Sequence, residues 1–186
     1  RTRAPPAAAL AGTSRPADVD LAEKALVMLS SNTEEAARGA RRDVAIAVRQ
    51  IGNPRFHSLL VPLLYDPAPE VADEGMESAR AVGSSDFVFV PTLISLLRHR
   101  QLKGRARAVL VSYGEPLIDV LAHFMRDPDE DLWVRRHIPA TLAQIPSQKS
   151  ADVLIAALGE SDGFLRFKVI AAHATGLLWP ASRTAS

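Results

Sequence analysis

The sequence predicts an all-α chain built as a stack of about five repeated helix pairs, and three observations predict it. Asp131-Leu132-Trp133-Val134-Arg135 and Asp162-Gly163-Phe164-Leu165-Arg166 each open an apolar, helix-like run, and their aspartates and arginines stand 31 residues apart. Gly52, Gly83, Gly114 and Gly176 fall on the same ladder, whose one missing rung is Ile145. The column five residues before each rung is Ala47, Ser78, Val109, Ala140 and Ala171, small side chains that let neighbouring helices approach closely. A fixed period of this length marks units that bury an apolar stripe only by stacking on their neighbours.

The bulk properties agree with such a stack and exclude several chemistries. A chain of 186 residues suits one large domain that buries roughly 70% of its unfolded surface. With 47% apolar and 23% charged residues and a formal net charge of +1, the whole molecule has no attraction to nucleic acid or to acidic membranes, so charge-driven binding must be local. The absence of cysteine excludes disulfides, zinc-thiolate sites and a thiol nucleophile, and fits a reducing compartment; the expected location is cytoplasmic. The longest apolar stretch, Phe87 to Leu97, contains Pro91, Thr92 and Ser95 and falls short of the ~18–20 residues that a membrane span needs.

Residues 1–17, rich in Pro, Ala and Ser, offer too few large apolar groups to offset ordering entropy and are expected to be a linker. The repeat domain is expected over residues 18–177, with a tail over 178–186. The missing initiator Met and the basic start suggest a segment of a longer protein. In the first pair, Leu21, Ala25, Val27 and Leu29 are the expected inner stripe of one helix, and Val44, Ala47, Val48 and Ile51 that of the next. Gly52 supplies the left-handed residue that closes this second helix and Pro54 prevents its continuation, a device that Gly114 and Pro116 repeat. The remaining pairs are expected at 56–65 with 70–82, 87–98 with 103–113, 117–126 with 131–145, and 151–158 with 164–175. Asp66-Pro67-Ala68-Pro69, Asp127-Pro128-Asp129-Glu130 and Glu160-Ser161-Asp162-Gly163 make the turns. Pro139 lies inside the fourth unit's second helix and Pro146 follows it, which predicts a kink or a shortened helix.

Leu59-Leu60-Val61-Pro62-Leu63-Leu64-Tyr65-Asp66-Pro67, together with the Asp131–Arg135 and Asp162–Arg166 stretches, resembles HEAT repeats, particularly the short bacterial type first associated with phycobilisome lyases. The resemblance covers about residues 19–177 and implies a right-handed α-solenoid of about five HEAT-like helix pairs. It also implies a buried or semi-buried Asp/Arg ladder between units. The stretch from Asp131 to Ala172 looks like HEAT segments of bacterial multidomain proteins that also carry a transporter-like membrane region or a cyclic-nucleotide-binding domain. HEAT arrays serve scaffolding, transport, regulation and some enzymes, so fold alone assigns no activity.

Local motifs point to little chemistry. Asp131 with Arg135, and Asp162 with Arg166, are spaced for i,i+4 ion pairs at helix starts, where an acid also suits the helix dipole. Asp127, Asp129, Glu130 and Asp131 could be read as oxygen ligands for a hard cation, but they lack the Gly-centred loop and terminal Glu of a calcium hand; a solvated turn with a helix cap is expected. His99, His123, His137 and His173 form no metal pattern. No Gly-rich phosphate loop or serine-elbow motif occurs, so neither cofactor nor metal is expected. HEAT-like DNA glycosylases use aromatic and acidic residues on a concave surface, which Trp133 beside Asp131 superficially fits; packing on the preceding unit is the expected role of Trp133.

The stretch Arg98-His99-Arg100-Gln101-Leu102-Lys103-Gly104-Arg105-Ala106-Arg107 replaces the Asp-Pro turn of neighbouring units with five fixed positive charges. Arg135 and Arg136 follow about one repeat later. Arg98, Arg100, Lys103, Arg105, Arg107, Arg135 and Arg136 are therefore the expected partner-binding residues, along one basic ridge. The competing expectation is a solvated turn whose charges offset Glu70, Asp73, Glu74 and Glu77. The expected function is a non-catalytic protein-interaction or regulatory scaffold in a larger bacterial protein, holding a partner protein or a neighbouring domain of the same parent. The alternative is nucleic-acid binding by the basic ridge, and after it a HEAT-like lyase or DNA glycosylase.

Overall fold

The computed structural model describes residues 16–32, 34–83, 87–159 and 161–174. The chain divides into two compact units, Arg1–Leu93 and Ile94–Ser186. Every regular element among the described residues is helical, so the fold class is all-α and built of HEAT-like helix pairs.

The first unit contains α1 (Pro16–Ser31), α2 (Arg38–Ile51) and α3 (Pro69–Val82), with 3-10 segments Pro54–Leu60 and Pro62–Tyr65 between α2 and α3. Helix α2 ends at Gly52, at φ 63°, whose N–H reaches the Val48 carbonyl at 3.1 Å. The left-handed residue there closes the helix as its position in the repeat predicts. The stretch 56–65 does not form the single helix expected of it. Pro62 has no N–H to continue an α-helical ladder, and the chain answers with two tighter 3-10 segments. Leu60, Leu63 and Leu64 are buried there all the same.

Helix α3 packs against α2 and against the second 3-10 segment. Gly75 makes the latter contact possible: a Cβ at this position would stand 3.1 Å from the backbone C and O of Leu63. In α1 the expected stripe is displaced. Ala22, Leu26 and Ser30 face inward, while Leu21, Val27 and Met28 are 56%, 45% and 70% exposed. An apolar-rich helix fits more than one register, and packing on α2 selects this one.

The second unit runs from α4 (Val90–Ser95), which carries the boundary, through its 3-10 extension Leu96–Arg98 to α5 (Lys103–Ser112). It continues with the 3-10 turn Glu115–Leu117, α6 (Ile118–Arg126), α7 (Leu132–Leu142), α8 (Gln148–Ala156), the 3-10 turn Ala157–Gly159 and α9 (Gly163–Ala174). Helices α5, α7 and α9 are the second helices of successive pairs, and α7 packs on both of the others. Leu97, Leu110, Leu117, Leu121, Ile138 and Leu142 are fully buried in this core, each contributing roughly 1.5–3 kcal/mol of transfer free energy. As Pro139 and Pro146 predict, α7 is short: it stops at Leu142, and Ile145 closes a 3-10-like turn through its N–H to the Leu142 carbonyl.

The column of small residues holds for three rungs and then slips. Ala47, Ser78 and Val109 are buried, whereas Ala140 and Ala171 are half-buried and Thr141 and Ala172 take the inner position. No single described helix is long and apolar enough to cross a membrane. One bent pair, Lys103–Ser112 with Glu115–Arg126, has the composition for it, but it turns through 112° and its Val109, Leu110, Leu117, Ile118 and Leu121 are core residues. Gly176 and the expected tail, with residues 1–15 of the expected linker, lie outside the described residues; α1 already begins at Pro16.

Candidate functional site: a cationic and aromatic row on the second helices of the second unit

Two aspartates build the starts of α7 and α9. Asp131 accepts hydrogen bonds from the N–H groups of Trp133 and Val134 at 2.8 and 3.2 Å, and Asp162 from those of Phe164 and Leu165 at 2.9 and 3.1 Å. Each caps two of the otherwise unpaired first N–H groups of its helix. These backbone donors, more than the nearby arginines, hold both carboxyls below the usual carboxylate range. The expected i,i+4 ion pairs are replaced by pairs between units: Asp131 meets Arg98 at 3.2 Å and Asp162 meets Arg136 at 3.8 Å. Arg135 points elsewhere and donates to the Met125 carbonyl at 3.0 Å. Asp–Arg pairs thus join successive helix pairs, as the resemblance implies, half-buried at Asp162 and Arg136 and more exposed at Asp131 and Arg98, because a capping carboxylate already faces its own helix's N–H groups.

The acidic turn acts as turn and cap. Asp127 accepts from the Asp129 N–H at 2.9 Å, and Glu130 from the Asp131 N–H at 2.8 Å.

The structure sorts the seven expected partner-binding cations into different environments. Arg98 is engaged by Asp131, and Arg107 is half-buried with its Nε donating to Thr141 Oγ1 at 3.2 Å, where burial pulls its pKa down. Arg135 is held by the Met125 carbonyl. Arg100 and Arg105 are exposed and Lys103 is half-buried. Arg136 lies with its guanidinium carbon 4.3 Å from the Phe164 ring centre and 5.8 Å from that of Trp133. Its Nε is buried with no hydrogen-bond partner among the described residues, so the ring faces and Asp162 are what stabilise it.

Trp133 is 59% exposed, contrary to the packed role expected for it. Capping fixes its backbone at the first turn of α7, on the side that the neighbouring pairs do not cover. Phe164 and Phe167, with ring centres 6.1 Å apart, and Ile170 continue the exposed apolar surface along α9, and the Lys168 Nζ stands 5.2 Å from the Phe164 ring.

Charge converges on the same row. The His137 imidazole is held below its ordinary pKa first by burial and then by Lys103, Arg107 and Lys168, so cations from α5 and α9 bear on one side chain of α7. Helices α5, α7 and α9 together carry seven Lys and Arg residues and no acid. The competing expectation, that Glu70, Asp73, Glu74 and Glu77 offset the basic stretch, is met differently: Glu70 pairs with Arg38, Glu74 with Arg42 and Arg49, and Glu77 with Arg80.

Sequence reasoning missed Arg166, Lys168, Phe164 and Phe167 as members of the row. The available signal was the lack of any acid in the second helix of three successive units.

A separate open cleft of about 500 Å³ in the first unit is lined by Asp20, Glu23, Lys24, Val27, Met28 and Arg55. Its charges are spent on each other, Arg55 reaching Glu23 at 2.7 Å and Asp20 at 2.8 Å.

The geometry defines a helical repeat of stacked pairs with an open second-helix row. Compared with known proteins, residues 90–174 match the family profile of HEAT repeats, which supports a HEAT-repeat assignment for the stretch that carries the row. No curated protein matches the chain. Among solved structures, the crystal structure of an engineered protein, a Northeast Structural Genomics Consortium target, is similar at 18% identity over 95% of this chain and 90% of that one, with a TM-score of 0.41.

Proposed function

We propose that this chain is a non-catalytic protein-interaction or regulatory module that holds a partner protein, or a neighbouring domain of the same parent, on the row formed by α5, α7 and α9. The observation that carries the reading is the coincidence of three acid-free, cation-bearing helices and exposed aromatic surface on one set of packed helices. Exposed apolar side chains rimmed by polar groups mark interaction surfaces. The HEAT-repeat match supports the reading, because arrays of this kind generally serve as interaction scaffolds. A cytoplasmic place in a larger bacterial protein, and the short HEAT-like type of the phycobilisome-lyase group, belong to the same proposal.

A glycosylase or lyase reading loses its acid. Asp131 is committed to the α7 cap and to Arg98, and its depressed pKa makes it a weak proton acceptor.

The test is affinity capture by the full chain with and without nuclease, followed by cross-linking mass spectrometry. A nuclease-resistant protein cross-linked to residues 100–174, and lost on Arg105→Glu, is the expected result. Contacts confined to the first unit would remove the row from the reading. Nucleic-acid binding that weakens steeply with salt, and loss of every protein after nuclease treatment, would replace it with the nucleic-acid alternative.

A further inference from the structure

We infer that the patch made by Trp133, Arg136, Phe164, Phe167 and Lys168 is the docking site for an acidic peptide segment that also carries large apolar side chains. The inference rests on the interaction reading above and deepens it by naming the partner's chemistry.

Three features of the patch select this occupant. Trp133 and Phe167 are each 59% exposed and Ile170 57%, an apolar surface that a peptide's Leu or Phe side chains would cover. The second is charge: α7 and α9 contain no acid, Arg166 is exposed and Lys168 half-buried on α9, and exposed Arg100 and half-buried Lys103 stand at the start of α5. Carboxylates of a bound segment would complement these cations.

The third feature separates a peptide from a nucleic acid. Single-stranded nucleic acid is held by bases stacked on open aromatic faces and by cations tracking the backbone. Here Arg136 lies over both Trp133 and Phe164, and Lys168 also lies near Phe164, so cations already cover part of these two rings. Arg98, Arg107 and Arg135 are likewise engaged by Asp131, Thr141 and the Met125 carbonyl, which breaks the continuous line of cations that phosphates would need. The Phe167 ring, the outer parts of the other rings and aliphatic carbon remain for contact, beside guanidinium and ammonium groups suited to carboxylates.

The experiment uses the full chain and a fluorescein-labelled peptide repeating Glu-Phe-Asp-Leu, read by fluorescence anisotropy. The same peptide with Lys in place of its acids, and oligothymidylate, are the comparators. Saturable binding of the acidic peptide alone is expected, weakened about tenfold by Phe167→Ser and by Lys168→Glu, because exposed aromatic anchors carry much of such a contact. Phe167 is exposed and Lys168 half-buried, and neither belongs to the core, so circular dichroism should show unchanged helicity. No binding, equal binding of the Lys peptide, insensitivity to both substitutions, or tighter binding of oligothymidylate would each overturn the inference. Failure here with a nuclease-resistant cross-linked protein still present would remove only the acidic-partner assignment. Absence of any captured protein would remove the interaction reading itself.

Discussion

Helices α2 and α3 of the first unit carry five arginines and five acids between them, and Arg38, Arg42 and Arg49 of α2 each meet Glu70 or Glu74 of α3 within 3.4 Å. The corresponding helices of the second unit, α5, α7 and α9, carry seven cations and no acid. Both units use the same stacked pair, so the fold does not require the difference. The first unit neutralises its second-helix row internally, and the second leaves that row positive and rimmed with aromatic groups. A stacked repeat can vary its outer residues freely because each apolar stripe is buried by its neighbours.

The units also differ in where their Asp–Arg pairs lie. Arg41 and Asp66 have side chains 2% and 5% exposed and are joined by two hydrogen bonds of 2.6 and 3.1 Å. The Arg41 Nη1 also donates to the carbonyls of Asn32 and Glu34 at 2.8 and 2.9 Å, so one guanidinium ties the turn before α2 to the turn before α3. The hydrogen-bonded Asp66 carboxylate raises the Arg41 pKa against the effect of burial. In the second unit Arg98 and Asp131 remain 59% and 34% exposed.

The sharpest break of the comparison is Arg41→Ala. It should cost about 3–5 kcal/mol, because Asp66 would be left buried without its counter-charge. Arg98→Ala should cost less than about 1 kcal/mol, as an exposed pair does. Urea unfolding followed by circular dichroism measures both, and equal costs would erase the distinction between a buried clamp and an open row.

Next in size, Leu110→Ala and Leu142→Ala should each cost about 2–5 kcal/mol, since both side chains are fully buried. The expected form is a broadened or two-step transition, because a lesion in a repeat array unfolds its own neighbourhood first. Loss of a cap comes third. Asp131→Ala and Asp162→Ala should each lower the urea midpoint by less than the core substitutions do, and in the wild type this contribution fades only at acid pH, as the depressed carboxyls become protonated.

The smallest effect sharpens the charge difference. The folded His137 has a lowered pKa, so below about pH 6.5 the unfolded chain takes up its proton first. Stability therefore falls with pH from that point until the folded pKa is passed, and levels off below it. The groups facing His137 are Lys103, Arg107 and Lys168. His137→Gln should flatten this part of the stability profile, whereas an unchanged slope would deny that burial and the nearby cations lower this pKa.

Period and composition alone determined the all-α stack, the Gly52 stop, the short α7 with its internal proline, and the cap-and-turn role of the acids from Asp127 to Asp131. These features depend on residues near in sequence: a left-handed closing residue, a missing N–H, a carboxylate within reach of the next two amides. Tertiary packing decided the rest. It chose the Ala22, Leu26 and Ser30 register of α1 and turned Asp131 and Asp162 toward arginines of the preceding pair. It also consumed Arg98, Arg107 and Arg135 in local bonds while leaving Trp133 and Phe164 exposed around Arg136 and Phe167 exposed beside Phe164. The physical reason is common to all of these: burial and ion pairing are set by which side chains meet across helices, and a one-dimensional period gives the spacing of the units but not the faces through which they touch.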